Sequence, residues 1–68
     1  MQPYQQRVVE EKASLDEKLA KLRAFFKDVG SAFDKLDSAE QGRLIRQSHI
    51  MQDYSDVLAE RIAFFKEN

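Results

Sequence analysis

Little in this chain has the arrangement of a catalyst. Its single histidine, His49, and its lack of cysteine leave no side-chain cluster suited to a transition metal. Ser14, Ser31, Ser38, Ser48 and Ser55 stand outside any hydrolase signature. Gly30 and Gly42 are isolated, so no glycine-rich phosphate loop is formed, and the acids between Asp34 and Glu40 lack the spacing and central glycine of a calcium loop. Glu10-Glu11 and Asp16-Glu17 are adjacent pairs, which a helix points in different directions. The expectation is a protein with no enzymatic activity, no cofactor and no metal. What remains is the chemistry of cations and aromatic rings. Arg7 follows Tyr4 by three residues, on the same face of a helix that begins by then. It can clasp a phosphate in bidentate fashion or reach a base edge, or it can pair with Glu10, Glu11 or a neighbouring chain. Arg61 follows Leu58 by three and sits beside Ile62, placed to snorkel or to line an interface between copies.

The elements that position these side chains are written in a heptad. Val8, Leu15, Leu22 and Val29 recur every seven residues, with Leu19, Phe26 and Phe33 four residues after three of them. Leu44, Met51, Leu58 and Phe65 repeat the spacing, and Ile62 continues their stripe. Such a pattern gives each of two helices one apolar face in need of cover. The spacing predicts a helix over about 3–29, a linker over 30–38 and a second helix over 39–65, in a single domain spanning 1–68. Pro3 suits a first helical turn and Gly30 a helix C-terminus. Ser38 and Gln41 read as N-cap and N3 of a capping box. Glu10, Glu11, Lys12, Asp16, Glu17, Lys18 and Lys21 read as the solvated face of the first helix, and Phe33 and Leu36 as residues that fold back over the end. The expected fold is all-α: an antiparallel helical hairpin with a bent N-terminal lead-in from Tyr4 to Val9. Beside the main stripes lie Phe25 on the first helix and Ile45, Tyr54, Val57 and Phe64 on the second. One hairpin contact does not cover both flanks, so the chain is expected to assemble into a helical oligomer.

Size and charge narrow the field further. At 68 residues a single core is marginal without a disulfide, a metal or oligomerisation. The composition, 43% hydrophobic and 34% charged, is that of a folded helical chain rather than a disordered one. Eleven basic and twelve acidic residues give a formal net charge of -1, which argues against a general DNA- or RNA-polymer binder working through a broad positive face. No apolar run is long enough to span a membrane or to form the core of a signal peptide. The expected location is the cytoplasm of the cell that makes the protein.

Three segments carry a resemblance. Tyr4-Gln5-Gln6-Arg7-Val8-Val9-Glu10-Glu11-Lys12 leads into Leu15-Asp16-Glu17-Lys18-Leu19 and then Lys21 to Phe26. Later, Met51, Tyr54, Leu58, Arg61 and Ile62 form a Met-x-x-Tyr-x-x-x-Leu-x-x-Arg-Ile run. Over nearly its whole length the chain resembles the small phage-encoded helical-hairpin family of the Acb2 anti-CBASS and Tad1 anti-Thoeris proteins. That resemblance implies a sponge: a protein that holds cyclic nucleotide second messengers of bacterial defence systems without cleaving them. It implies a homo-oligomer, a hexamer in Acb2 members, working in the host cytoplasm. Cyclic dinucleotides lie between protomers, and some members also take cyclic trinucleotides at separate sites. Tad1 members take cyclic ADP-ribose signals instead.

The resemblance also implies roles. An N-terminal tyrosine over a base and a lysine on the first long helix near phosphate match Tyr4 and Lys18 best. A ring stacked on a base and a compact ammonium beside phosphate are physically suited to these roles. Otherwise Tyr4 is a helix-end residue packed on the hairpin, and Lys18 is solvated surface. Arg61 fits a second, trinucleotide-type site. Tyr54 and Phe25 read as interface aromatics. The chain ends at Asn68, short for this family, which bears on affinity and ligand range more than on fold. The rival reading is a phage protein-interaction module that blocks a host protein through Phe25, Phe64 and Phe65.

Overall fold

The first helix starts where its backbone donors are dispensable. Pro3 occupies the opening turn, and the backbone N–H of Gln2 donates to Oε1 of Gln5 at 2.9 Å. The computed structural model describes residues 1–28, 30 and 32–65. Helix α1 runs Pro3–Lys27 and helix α2 runs Ser38–Phe65, with no strand among the described residues. α1 runs without interruption through Tyr4 to Val9, the stretch expected to lead in at a bend. The run from Tyr4 to Lys27 contains neither glycine nor a second proline, and nothing in it stops a helix.

The connection is short and tied down by its own side chains. Gly30 takes a left-handed φ of +78°, and its N–H donates to Oδ2 of Asp34 at 2.6 Å. Phe33 folds back onto α1, with ring centroids 4.9 Å from Phe26 and 5.7 Å from Phe25. Helix α2 is capped by Asp37, not Ser38: Asp37 Oδ1 accepts from the Glu40 N–H at 2.8 Å, and the Asp37 carbonyl accepts the first helical bond from Gln41. Either residue type can cap a helix. The Gln41 side-chain amide donates to the Phe33 carbonyl at 2.9 Å.

Three contacts fix the pairing of the helices. Tyr4 meets Phe65 at one end, Asp16 meets Ser55 midway, and Arg23 meets Gln52 further along. The chain is therefore an antiparallel hairpin, a rod 49 Å long and 15 Å across. Val8, Leu19 and Leu58 are buried, and Leu15, Leu22, Phe26, Leu44, Met51, Ile62 and Phe65 are half-buried along the same seam. Val29, the fourth member of the first heptad, lies outside the described residues.

The seam is not wholly apolar. Continuing the alternating three-and-four spacing on α2 places Ser48 and Ser55 between its apolar residues, and both are buried. The same spacing on α1 brings Lys12 between Val8 and Leu15. Lys12 and Asp16 were expected on the solvated face; both are instead half-buried beside α2. Lys12 Nζ donates to Asp16 Oδ2 at 2.6 Å, and the Ser55 hydroxyl donates to Asp16 Oδ1 at 2.5 Å. Ser48 donates to the Ile45 carbonyl of its own helix at 2.6 Å. No buried side-chain polar atom is left without a partner among the described residues.

A candidate ligand face built from both helices

The hairpin has two long flanks, and its geometry decides which residues share one. Each residue advances about 100° around a helix. On α1, Tyr4, Arg7, Lys18 and Phe25 each stand one residue before a seam position. On α2, Ile50, Tyr54, Val57, Arg61 and Phe64 do the same. Because α2 runs in reverse and faces the opposite way, these two reversals cancel, and both stripes fall on the same side of the rod. The other flank behaves accordingly. Arg23 and Gln52 each follow a seam residue, and the Arg23 guanidinium donates to Gln52 Oε1 at 2.7 Å across that opposite side.

All four residues expected to bind a ligand thus lie on one flank. Tyr4 is 51% exposed, with its ring anchored on Phe65 at a centroid distance of 5.9 Å and an interplanar angle of 83°. Arg7, Lys18 and Arg61 are exposed, and none makes an ion pair or hydrogen bond among the described residues. Other cations of the chain are engaged, Lys21 with Glu17 at 3.2 Å and Arg43 with Glu40 at 2.7 Å.

The four do not converge on one point within a single chain. Tyr4, Arg7 and Arg61 occupy the end where the chain's first and last helical turns meet. Lys18 is two heptads further along α1, a rise of about 21 Å from Tyr4. Arg61 lines an open groove of about 360 Å³ with Val57, Glu60, Phe64 and Phe65. Phe65, which lines that groove, also carries the Tyr4 ring. A second groove of about 340 Å³, lined by Arg43, Arg46, Gln47, Ile50 and Met51, lies nearer the connection.

Ile45, expected beside Tyr54, Val57 and Phe64, follows the seam residue Leu44 and lies on the opposite flank. Ile50, which is 60% exposed, belongs to the same stripe as Tyr54, Val57 and Phe64. The signal was present: Ile50 precedes Val57 by one heptad. The arrangement offers cations and rings on one surface and no group of three or more His, Cys, Asp or Glu that could hold a metal among the described residues.

The two-helix rod carries along one flank exposed aromatics and three cations, Arg7, Lys18 and Arg61, without an ion-pair partner among the described residues. The Sequestin family model matches residues 2–64, and the chain belongs to that family, the Acb2/Tad1-type phage sponge proteins. The family is non-catalytic. No curated protein and no solved structure matches the chain. No helix among the described residues is long and apolar enough to cross a membrane.

Proposed function

We propose that this protein sequesters cyclic dinucleotide second messengers of bacterial CBASS defence and holds them intact, so that the host effector is not switched on. The observation that carries this reading is the placement of Tyr4, Arg7, Lys18 and Arg61 on the same flank of a family member, the three cations without an ion-pair partner among the described residues. In this reading Tyr4 stacks on a base, Lys18 and Arg7 neutralise phosphate, and Arg61 serves a second site of the cyclic trinucleotide type. The rise of about 21 Å between Tyr4 and Lys18 has a consequence. A small cyclic ligand that touches both must take Tyr4 from one copy and Lys18 from another. The site is therefore built between protomers, and the assembly that completes it is a hexamer in the host cytoplasm.

The ligand then acts as a bridge, and its binding favours the assembled state by mass action. The test is a pair of titrations with cyclic GMP–AMP, run with the molar mass of each sample. Tyr4→Ala should weaken binding by the ~1–3 kcal/mol of one base stack, roughly ten- to a hundredfold, while leaving the oligomer intact. Unchanged affinity in that variant removes Tyr4 from the site. A second reading, a module that blocks a host protein, is favoured by the exposure of Ile50, Val57 and Phe64. Indifference of the protein to every cyclic nucleotide, cyclic ADP-ribose isomers included, would move the assignment there. Binding of the ADP-ribose isomers alone would make it a Tad1-like sponge.

A further inference from the structure

The outer stripe of α2 is arranged symmetrically about Tyr54. Seven residues on either side of Tyr54 come Gln47 and Arg61, and between them stand Ile50 and Val57. Arg43 and Phe64 close the stripe at its two ends. The linings of the two grooves repeat at two-heptad spacing along α2, Arg43, Arg46, Gln47, Ile50 and Met51 of one recurring as Val57, Glu60, Arg61, Phe64 and Phe65 of the other. Ile50, Tyr54 and Val57 are 60%, 44% and 51% exposed, a continuous apolar ridge with a groove at each end.

We propose that this stripe packs against the same stripe of a second copy, antiparallel, about a two-fold axis beside Tyr54. The heptad spacing of the stripe is that of a helix that faces another helix, and a two-fold axis at its middle lets one patch serve both copies. Ile50 then meets Val57 of the second copy, Tyr54 meets Tyr54, and Arg43 lies over the ring of Phe64. Charge supports the same occupant. Arg46 and Glu60 lie on one flank of the stripe, two heptads apart, and neither has an ion-pair partner among the described residues. In the antiparallel pair each Arg46 comes opposite a Glu60, twice by symmetry. Asp53 lies midway on that flank and meets its own copy near the axis. That contact is repulsive and opposes the pair. A hexamer made as three such pairs has this contact as its two-fold interface. The inference rests on the oligomeric part of the proposed function and is independent of the ligand.

The natural chain has no cysteine, so a single introduced thiol reports position without interference. Tyr54→Cys should form a disulfide-linked dimer under mild oxidation, and Ala59→Cys, on the opposite flank, should not. In sedimentation dilution series, Arg46→Glu should weaken association by roughly tenfold, and the double exchange Arg46→Glu with Glu60→Arg should restore it. Asp53→Asn should tighten it. An oligomer that neither cross-links at Tyr54→Cys nor recovers in the double exchange overturns this interface while leaving oligomerisation in place. A protein that is monomeric at every concentration overturns both.

Discussion

Asp16 on α1 accepts the hydroxyl hydrogen of Ser55 on α2 at 2.5 Å, inside a seam of valine, leucine and phenylalanine. The same carboxylate takes the Lys12 ammonium at 2.6 Å through its other oxygen. This is a polar layer between the helices, and every charge in it is matched. Polar layers of this kind fix register, because a slip of one turn would leave Asp16 facing Leu58 and Ser55 facing an apolar side chain.

The Asp16 carboxyl is held below its ordinary value, first by the Lys12 hydrogen bond and then by that of Ser55, with burial opposing them. A carboxyl depressed in the folded state binds fewer protons there than in the unfolded chain. Its contribution to stability is therefore complete above the ordinary carboxylate value and is lost as pH falls through the depressed one. Asp16→Asn should be less stable than the natural protein at pH 7, and the difference should shrink in strong acid. Urea unfolding followed by circular dichroism at pH 7 and near pH 2 measures it. An equal difference at both pH values would dissociate Asp16 from the charge pairing.

Leu58 is the one fully buried side chain among the described residues. Leu58→Ala should cost about 2–5 kcal/mol, enough to unfold much of a small chain. Val57, its neighbour, is half exposed, and Val57→Ala should leave the stability of the isolated hairpin within about 0.5 kcal/mol. Thermal denaturation of both variants at low protein concentration makes the comparison. Equal losses would mean that the seam runs along a different face.

The start of α2 separates two adjacent caps. Asp37→Ala should cost about 1 kcal/mol by orphaning the Glu40 N–H, and Ser38→Ala should cost much less. Denaturant midpoints of the two variants decide between them. A larger loss at Ser38 would return the cap to that residue.

Tyr4 depends on Phe65 for its position. Phe65→Leu keeps an apolar seam residue but removes the ring that holds the tyrosine edge. It should lower ligand affinity by roughly tenfold with little change in oligomer mass, a milder form of the Tyr4→Ala loss. Calorimetric titration with cyclic GMP–AMP supplies both values. If Phe65→Leu binds as the natural protein does, the ring contact has no part in the site.

The seam was legible because its apolar members repeat at heptad spacing, and Val8, Leu19 and Leu58 were found that way. Lys12, Ser48 and Ser55 were not, since a pattern counted in apolar residues skips polar ones at the same positions. Only the partner helix shows that Lys12 and Ser55 have a carboxylate between them. The cap moved by one residue because Asp37 and Ser38 have equal local claims. Arg7, Lys18 and Arg61 could be named as candidates from sequence. That they share a flank follows from the antiparallel register, which is set by contacts between residues far apart in the chain.

The central claim is that the protein holds a cyclic nucleotide and returns it unchanged. The most direct measurement is the melting temperature of the purified protein with cyclic GMP–AMP, a cyclic trinucleotide and cyclic ADP-ribose isomers, followed by heat release and mass analysis of the bound fraction. The account expects a rise of ~5 °C or more at saturating cyclic dinucleotide and recovery of that ligand intact. No shift with any of these ligands, or recovery of a linearised product, would contradict it.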